Sequence, residues 1–219
     1  MVTITRDAVI AAVRKNLDEQ GLNPSAMYGQ SQDSQELDSI IYDTLPEALE
    51  YIHLVAPIDM VDGEELNESS TAIVFSVADK VLDINFTGSK AVKVARLLSF
   101  KCGSSNLLTE AYFEDSAIGR KQKNKYVQGK PDEPILILMG DSEGLYPHYK
   151  YYTTEDGVSE ANVSFSLRYY AKPEADAEGS YKCSSKLENQ VIYYLTGLVL
   201  SIFNEKEKAT HFFALAKGE

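Results

Sequence analysis

"TAIVFSVADKVLDINFTGSKAVKVARLLSF", residues 71–100, is where the hydrophobic pattern of this chain changes period. The pieces TAIVFSV (71–77), KVLDINF (80–86) and KAVKVARLLSF (90–100) are short, rich in β-branched residues and partly alternating. That is the pattern of half-buried strands. LLTEAYF (107–113), PILILMG (134–140) and NVSFSLRYYA (162–171) continue it, and ILILMGDSEGLYPHYKYY (135–152) reads as a hairpin turning at Asp141–Gly144. On either side of this region the period is helical. Upstream, Val9, Ile10, Val13 and Leu17 form a stripe within a helix expected from Thr5 to Gly21. After a polar linker over Leu22–Gln32, Asp33 with Glu36 has capping-box spacing. It opens a second helix whose apolar face is Leu37, Ile40, Ile41, Leu45, Leu49, Ile52 and Val55. Pro46 is expected to kink this helix or start a new turn, and Pro57 to end it. Downstream, Val191, Tyr194, Leu195, Leu198, Ile202 and Phe203 give a helix, and a last one covers Lys206 to Lys217. The expected fold class is α+β. N- and C-terminal helices (residues 1–70 and 187–219) form a helical bundle, with an antiparallel β-rich module (71–172) inserted between them.

The chain has 219 residues, 44% hydrophobic and 25% charged, enough for a sizeable core. MVTITRDAVIAAV, residues 1–13, lacks the basic start and apolar block of a secretory signal. The longest apolar run, Val191–Phe203, is too short to span a bilayer, so no membrane partner is expected. Cys102 and Cys183 stand far apart, which predicts free thiols and suits a reducing cytoplasm.

The formal net charge of −12 argues against nucleic-acid binding over the whole surface. The charge is segregated. Residues 16–79 hold fourteen acids and no Lys or Arg, whereas residues 80–130 hold ten bases and four acids. Catalytic signals are absent. His53, His148 and His211 lie in three different elements with no nucleophile, acid or metal ligand at working spacing, and are expected to be structural or surface residues. DMVDGEE (59–65) lacks the alternation of a calcium loop. No phosphate-binding glycine loop occurs. The sequence therefore predicts no enzyme, no metal and no cofactor. Fourteen tyrosines, many of them between Tyr146 and Tyr194, leave two readings open: a ligand- or glycan-binding platform on the strands, or packed rings.

The strongest local signal is the loop over 114–134. Arg120, Lys121, Lys123, Lys125 and Lys130 fall within eleven residues that contain no acid, with Tyr126 among them. Its length exceeds that of a simple connector. Its cations and the acidic second helix predict head-to-tail association between copies of the chain. Such a loop has little to pack against, so mobility is expected in the free protein and order on assembly.

Four stretches, in order, resemble the head-to-tail adaptor (connector) proteins of short-tailed bacteriophages, particularly those of crAss-like gut phages. They are SQELDSIIYDTLPEALEYIHLVAP (34–57), VARLLSFK (94–101), EDSAIGRKQKNKYVQGKPDEPILIL (114–138) and ENQVIYYLTGLVLSIFNEKEKATHFFALA (188–216). The resemblance implies a non-enzymatic virion protein, assembled in the host cytoplasm and located in the neck. It implies a homo-oligomeric ring, usually of twelve subunits, beneath the portal. Its partners would be the portal and tail or other neck proteins, with DNA passing through but not bound by sequence. Another neck or tail-hub ring component is the neighbouring expectation. A small-ligand or glycan-binding module is the expectation from a different class.

Overall fold

The computed structural model describes residues 1–19, 32–67, 73–78, 81–86, 93–102, 106–124, 126–130, 133–139, 148–152 and 165–218. In chain order its strands are β1 (Val2–Ile4), β2 (Glu64–Asn67), β3 (Ile73–Ala78), β4 (Val81–Phe86), β5 (Val94–Cys102), β6 (Tyr112–Phe113), β7 (Ile135–Met139), β8 (His148–Tyr152), β9 (Phe165–Ala171) and β10 (Tyr181–Cys183). Its α-helices are α1 (Arg6–Glu19), α2 (Gln32–Val55), α3 (Ala117–Lys121), α4 (Glu188–Ile202) and α5 (Lys206–Lys217). The fold is α+β, and the chain divides into two compact units: Met1–Asp62 with Pro173–Glu219, and Gly63–Lys172. Among the described residues no helix is long and apolar enough to cross a membrane.

In the first unit α4 packs against α1, α2 and α5. The expected stripes supply its core: Val9, Val13 and Leu17 from α1, and Leu37, Ile41, Leu45, Leu49 and Ile52 from α2. Polar ties fix the helix pairs. The Arg14 guanidinium grips Asp38 Oδ1 at 2.7–2.8 Å, and Asn16 Nδ2 donates to Thr196 Oγ1 at 3.1 Å. Tyr51 stacks on Tyr194 with centroids 4.3 Å apart. Pro46 lies inside a single helix that runs from Gln32 to Val55. Two expected core positions also face out. Val55 is 57% exposed, and Ile202 is exposed as well. Ala48 on α2 and Ala56 just beyond its end are buried alongside the long side chains. A two-stranded ladder, Val2↔Cys183 to Ile4↔Tyr181, joins distant parts of the chain.

His53 is fully buried in this unit. The backbone N–H of Ser184 donates to its Nε2 at 3.1 Å, so the ring proton sits on Nδ1 and is donated to the Leu49 carbonyl at 2.8 Å. Ser184 Oγ in turn accepts the Asp62 N–H at 2.8 Å. The end of α2 is thereby tied to the turn that follows β10.

The second unit holds two sheets, ordered β2-β9-β5 and β3-β4-β8-β7-β6. Phe100, Leu136, Tyr149, Tyr151, Phe165, Leu167 and Tyr169 form a single core drawn from both. Phe100 touches Tyr151 across that core, ring centroids 5.3 Å apart. The expected antiparallel pairing of β7 with β8 is present; its turn lies outside the described residues. The module is not wholly antiparallel, because β6 pairs with β7 in parallel. LLTEAYF is also less of a strand than its composition predicts. It makes one bridge, Leu108↔Phe100, and then the two residues of β6.

Both cysteines are free and buried, Cys102 in the second unit and Cys183 in the first. Burial, with the charges of Glu188 and Asp62 adding to it, pushes the Cys183 thiol up to about 12. The thiolate is the reactive form. Neither thiol should therefore react with a disulfide reagent at neutral pH in the native protein, and both should react at the rate of unfolding. Rapid modification of either under native conditions would contradict this packing.

Candidate functional site

The basic loop is a folded object. It leaves β6 through a turn in which the Ser116 N–H donates to the Phe113 carbonyl at 3.0 Å. Ser116 then caps α3, its Oγ accepting the Gly119 N–H at 3.0 Å. Gln122, only 1% exposed, is the hub. Its Nε2 donates to the Ile118 carbonyl at 3.2 Å, and its Oε1 accepts the Gly129 N–H at 2.9 Å. One side chain thus joins the start of the loop to its end. The Asn124 side chain accepts the Tyr126 N–H at 3.0 Å, and the backbones of Lys130 and Glu133 exchange hydrogen bonds at 3.0–3.1 Å.

These contacts overturn the expectation of a loop with little to pack against. Gly119 and Gly129 are buried, and neither has a positive φ. They are required by space. A Cβ at Gly119 would overlap the Phe113 carbonyl, and one at Gly129 would lie 2.5 Å from the Tyr152 carbonyl and 2.8 Å from Ile135 N.

With the polar support inside, the cations face out. Arg120, Lys121, Lys123 and Lys130 are exposed, and Tyr126 is 92% exposed. Lys125 lies outside the described residues. Lys123 Nζ stands 3.7 Å from Glu114 Oε1, but both side chains are largely exposed and such a pair holds little energy. Beside the loop opens a cleft of about 540 Å³ between residues 107–110 with Tyr112 on one side and residues 126–130 and 133–136 on the other, with Lys130 at its wall. Leu107 and Val127 expose apolar surface there. Neither Gln122 nor the cleft is legible in the sequence, since a glutamine within a run of lysines reads as solvated.

Gln122→Ala would leave the buried Gly129 N–H without its acceptor, a loss of about 1–3 kcal/mol confined to the loop. Trypsin should cut the wild-type loop slowly after Lys121 and Lys123 and the variant many times faster, with little change in global unfolding. Equal cleavage rates would mean that Gln122 does not hold the loop.

His53, His148 and His211 stand in three separate elements, α2, β8 and α5. His211 is exposed and lies edge-on to Phe212, and the His148 side chain is outside the described residues. Among the described residues no group of His, Cys, Asp and Glu is arranged to hold a metal. Two of the carboxylates of 59–65 are engaged in hydrogen bonds of their own. Asp62 accepts Ser185 N–H and Oγ–H at 2.9 and 3.1 Å, and the former chiefly lowers its pKa, whereas Glu64 accepts the Tyr169 hydroxyl at 3.0 Å. Among the described strand tyrosines, most rings turn inward. Tyr149, Tyr151, Tyr169 and Tyr170 are all buried, and burial raises the hydroxyl pKa of Tyr149 and Tyr169. No protein-family model matches the chain, and no curated protein sequence matches it.

Proposed function

We propose that this chain is a non-enzymatic, ring-forming adaptor of a bacteriophage neck, joining the portal to the tail. The observation that carries the reading is the preformed loop. It presents Arg120, Lys121, Lys123 and Lys130 around an exposed Tyr126, on a chain whose long α2 is acidic. The opposite surface is on the same polypeptide: Glu36, Asp43 and Glu47 are exposed on α2. Cations on one part and acids on another favour a head-to-tail contact, which closes into a ring when the rotation permits. The division of the chain is compatible with this role. Helices from both chain ends would form a bundle as the body of the subunit, with the inserted β unit as an arm. In this reading no residue is catalytic, and the partners are further copies of the chain, usually twelve in all, the portal, and tail or other neck proteins.

Electron microscopy of the purified protein mixed with portal tests it. Rings seated on the portal are the expected result. A ring elsewhere in the tail would instead make it a tail-hub component, and failure to associate with any portal or neck protein would overturn the assignment.

A further inference from the structure

The cleft beside the basic loop has a counterpart on α2. Leu54 and Val55, at the C-terminal end of α2, and Ile58, in the turn beyond Pro57, are all exposed. The core stripe of that helix end, Leu45, Leu49 and Ile52, is already buried, and the ring of Tyr51 is stacked on Tyr194. Glu47 and Asp59 flank this helix end and are exposed, and residues 43–62 contain no Lys or Arg. The cleft combines apolar surface with charges of both signs, and the cationic excess lies on its loop. Leu107, Tyr126 and Val127 expose apolar surface around it, and Lys130 lines it. Arg120, Lys121 and Lys123 stand on the same loop. The lining also includes Glu110 and Glu133, and the Tyr112 hydroxyl donates to Glu110 at 3.3 Å. The loop itself, from Ser116 to Lys130, has no acid.

We propose that this cleft is the socket for the C-terminal end of α2 from a second copy of the chain. Leu54, Val55 and Ile58 enter the cleft as anchors, and Glu47 and Asp59 meet the cations of the loop. The volume of about 540 Å³ is in the range that takes a few side chains rather than a whole helix, which suits three anchors at a helix end. Charge complementarity between residues 43–62, which have no base, and the loop over 116–130, which has no acid, sets the direction. Like helix ends would repel through their acids, so the contact is heterologous. Gln122 holds the loop in its receptive form before the partner arrives, so less order is lost on binding. This inference rests on the self-association proposed above, but not on the place of the protein in a virion.

The test is disulfide trapping between two separately purified variants, Leu54→Cys and Val127→Cys. The native thiols are buried and give a low background. Mild oxidation of the mixture should give cross-linked dimers, while each variant alone gives none. A chain carrying both substitutions should give a ladder of oligomers. Leu54→Asp, placed on an exposed position, should weaken self-association in sedimentation roughly tenfold or more without altering the circular dichroism. A fast-migrating monomer from the double variant would place the contact within one chain and overturn the socket. Self-association without the mixed cross-link would also overturn the socket, while leaving the ring reading intact. A cross-link to portal in preference to a second copy would overturn it in the same way. Absence of any association, alone or with portal, would remove both proposals together.

Discussion

Reversing Arg120, Lys121, Lys123 and Lys125 together to glutamate should abolish assembly while leaving the fold unchanged. The first three side chains are exposed, and none of them supports the loop. That task falls to Ser116, Gln122 and the two buried glycines. A single Lys→Ala should be mild, because an exposed charge pair contributes only about 0–1 kcal/mol. The fourfold reversal differs in kind. Each substitution replaces attraction toward an acidic partner by repulsion, and like-charge juxtaposition across an interface costs several kcal/mol. Sedimentation and electron microscopy of the variant should show particles without rings. Raising the salt should weaken wild-type assembly in the same direction, since these charges lie in solvent. A fourfold variant that assembles normally would show that the loop has no acidic partner, and its folding should be verified by circular dichroism in the same preparation.

His53→Ala should be among the most destabilising single substitutions in the first unit, at about 3–5 kcal/mol. Truncating a fully buried ring leaves a cavity, and comparable truncations cost about 2–5 kcal/mol. The Ser184 N–H loses its acceptor as well, and a buried donor left unsatisfied costs about 1–3 kcal/mol. The two losses overlap, because a small site can admit water. His53→Phe separates them: it preserves most of the volume and should lose mainly the polar part. His211→Ala, on an exposed face of α5, should stay within about 0.5 kcal/mol. Urea unfolding of the three variants measures these differences. A His53→Ala protein as stable as the wild type would mean that this hydrogen-bonded link is dispensable.

The amino-acid sequence by itself determined which segments are helices and which are strands wherever a periodic run is long. Leu37, Ile41, Leu45, Leu49 and Ile52 repeat often enough to specify one helical face, and β7 and β9 are continuous enough to be read as strands. It also determined that residues 120–130 form a cationic stretch, because five bases without an acid need no neighbour to be recognised. Burial on a second face was not legible. Val55 and Ile202 continue apolar stripes but face out, since a helical stripe is buried only where another element covers it. The β1–β10 ladder was equally hidden. Three-residue strands show no period, and their partners are some 180 positions apart in the chain, as in Val2↔Cys183. The parallel register of β6 on β7 and the inward turn of the strand tyrosines depend on the sheet opposite them. Gln122 makes the point most sharply. The sequence places it among lysines, where polarity implies solvent; only the tertiary structure brings the Gly129 N–H and the Ile118 carbonyl to its two ends, and a buried amide is stable only where both its donor and its acceptor are met.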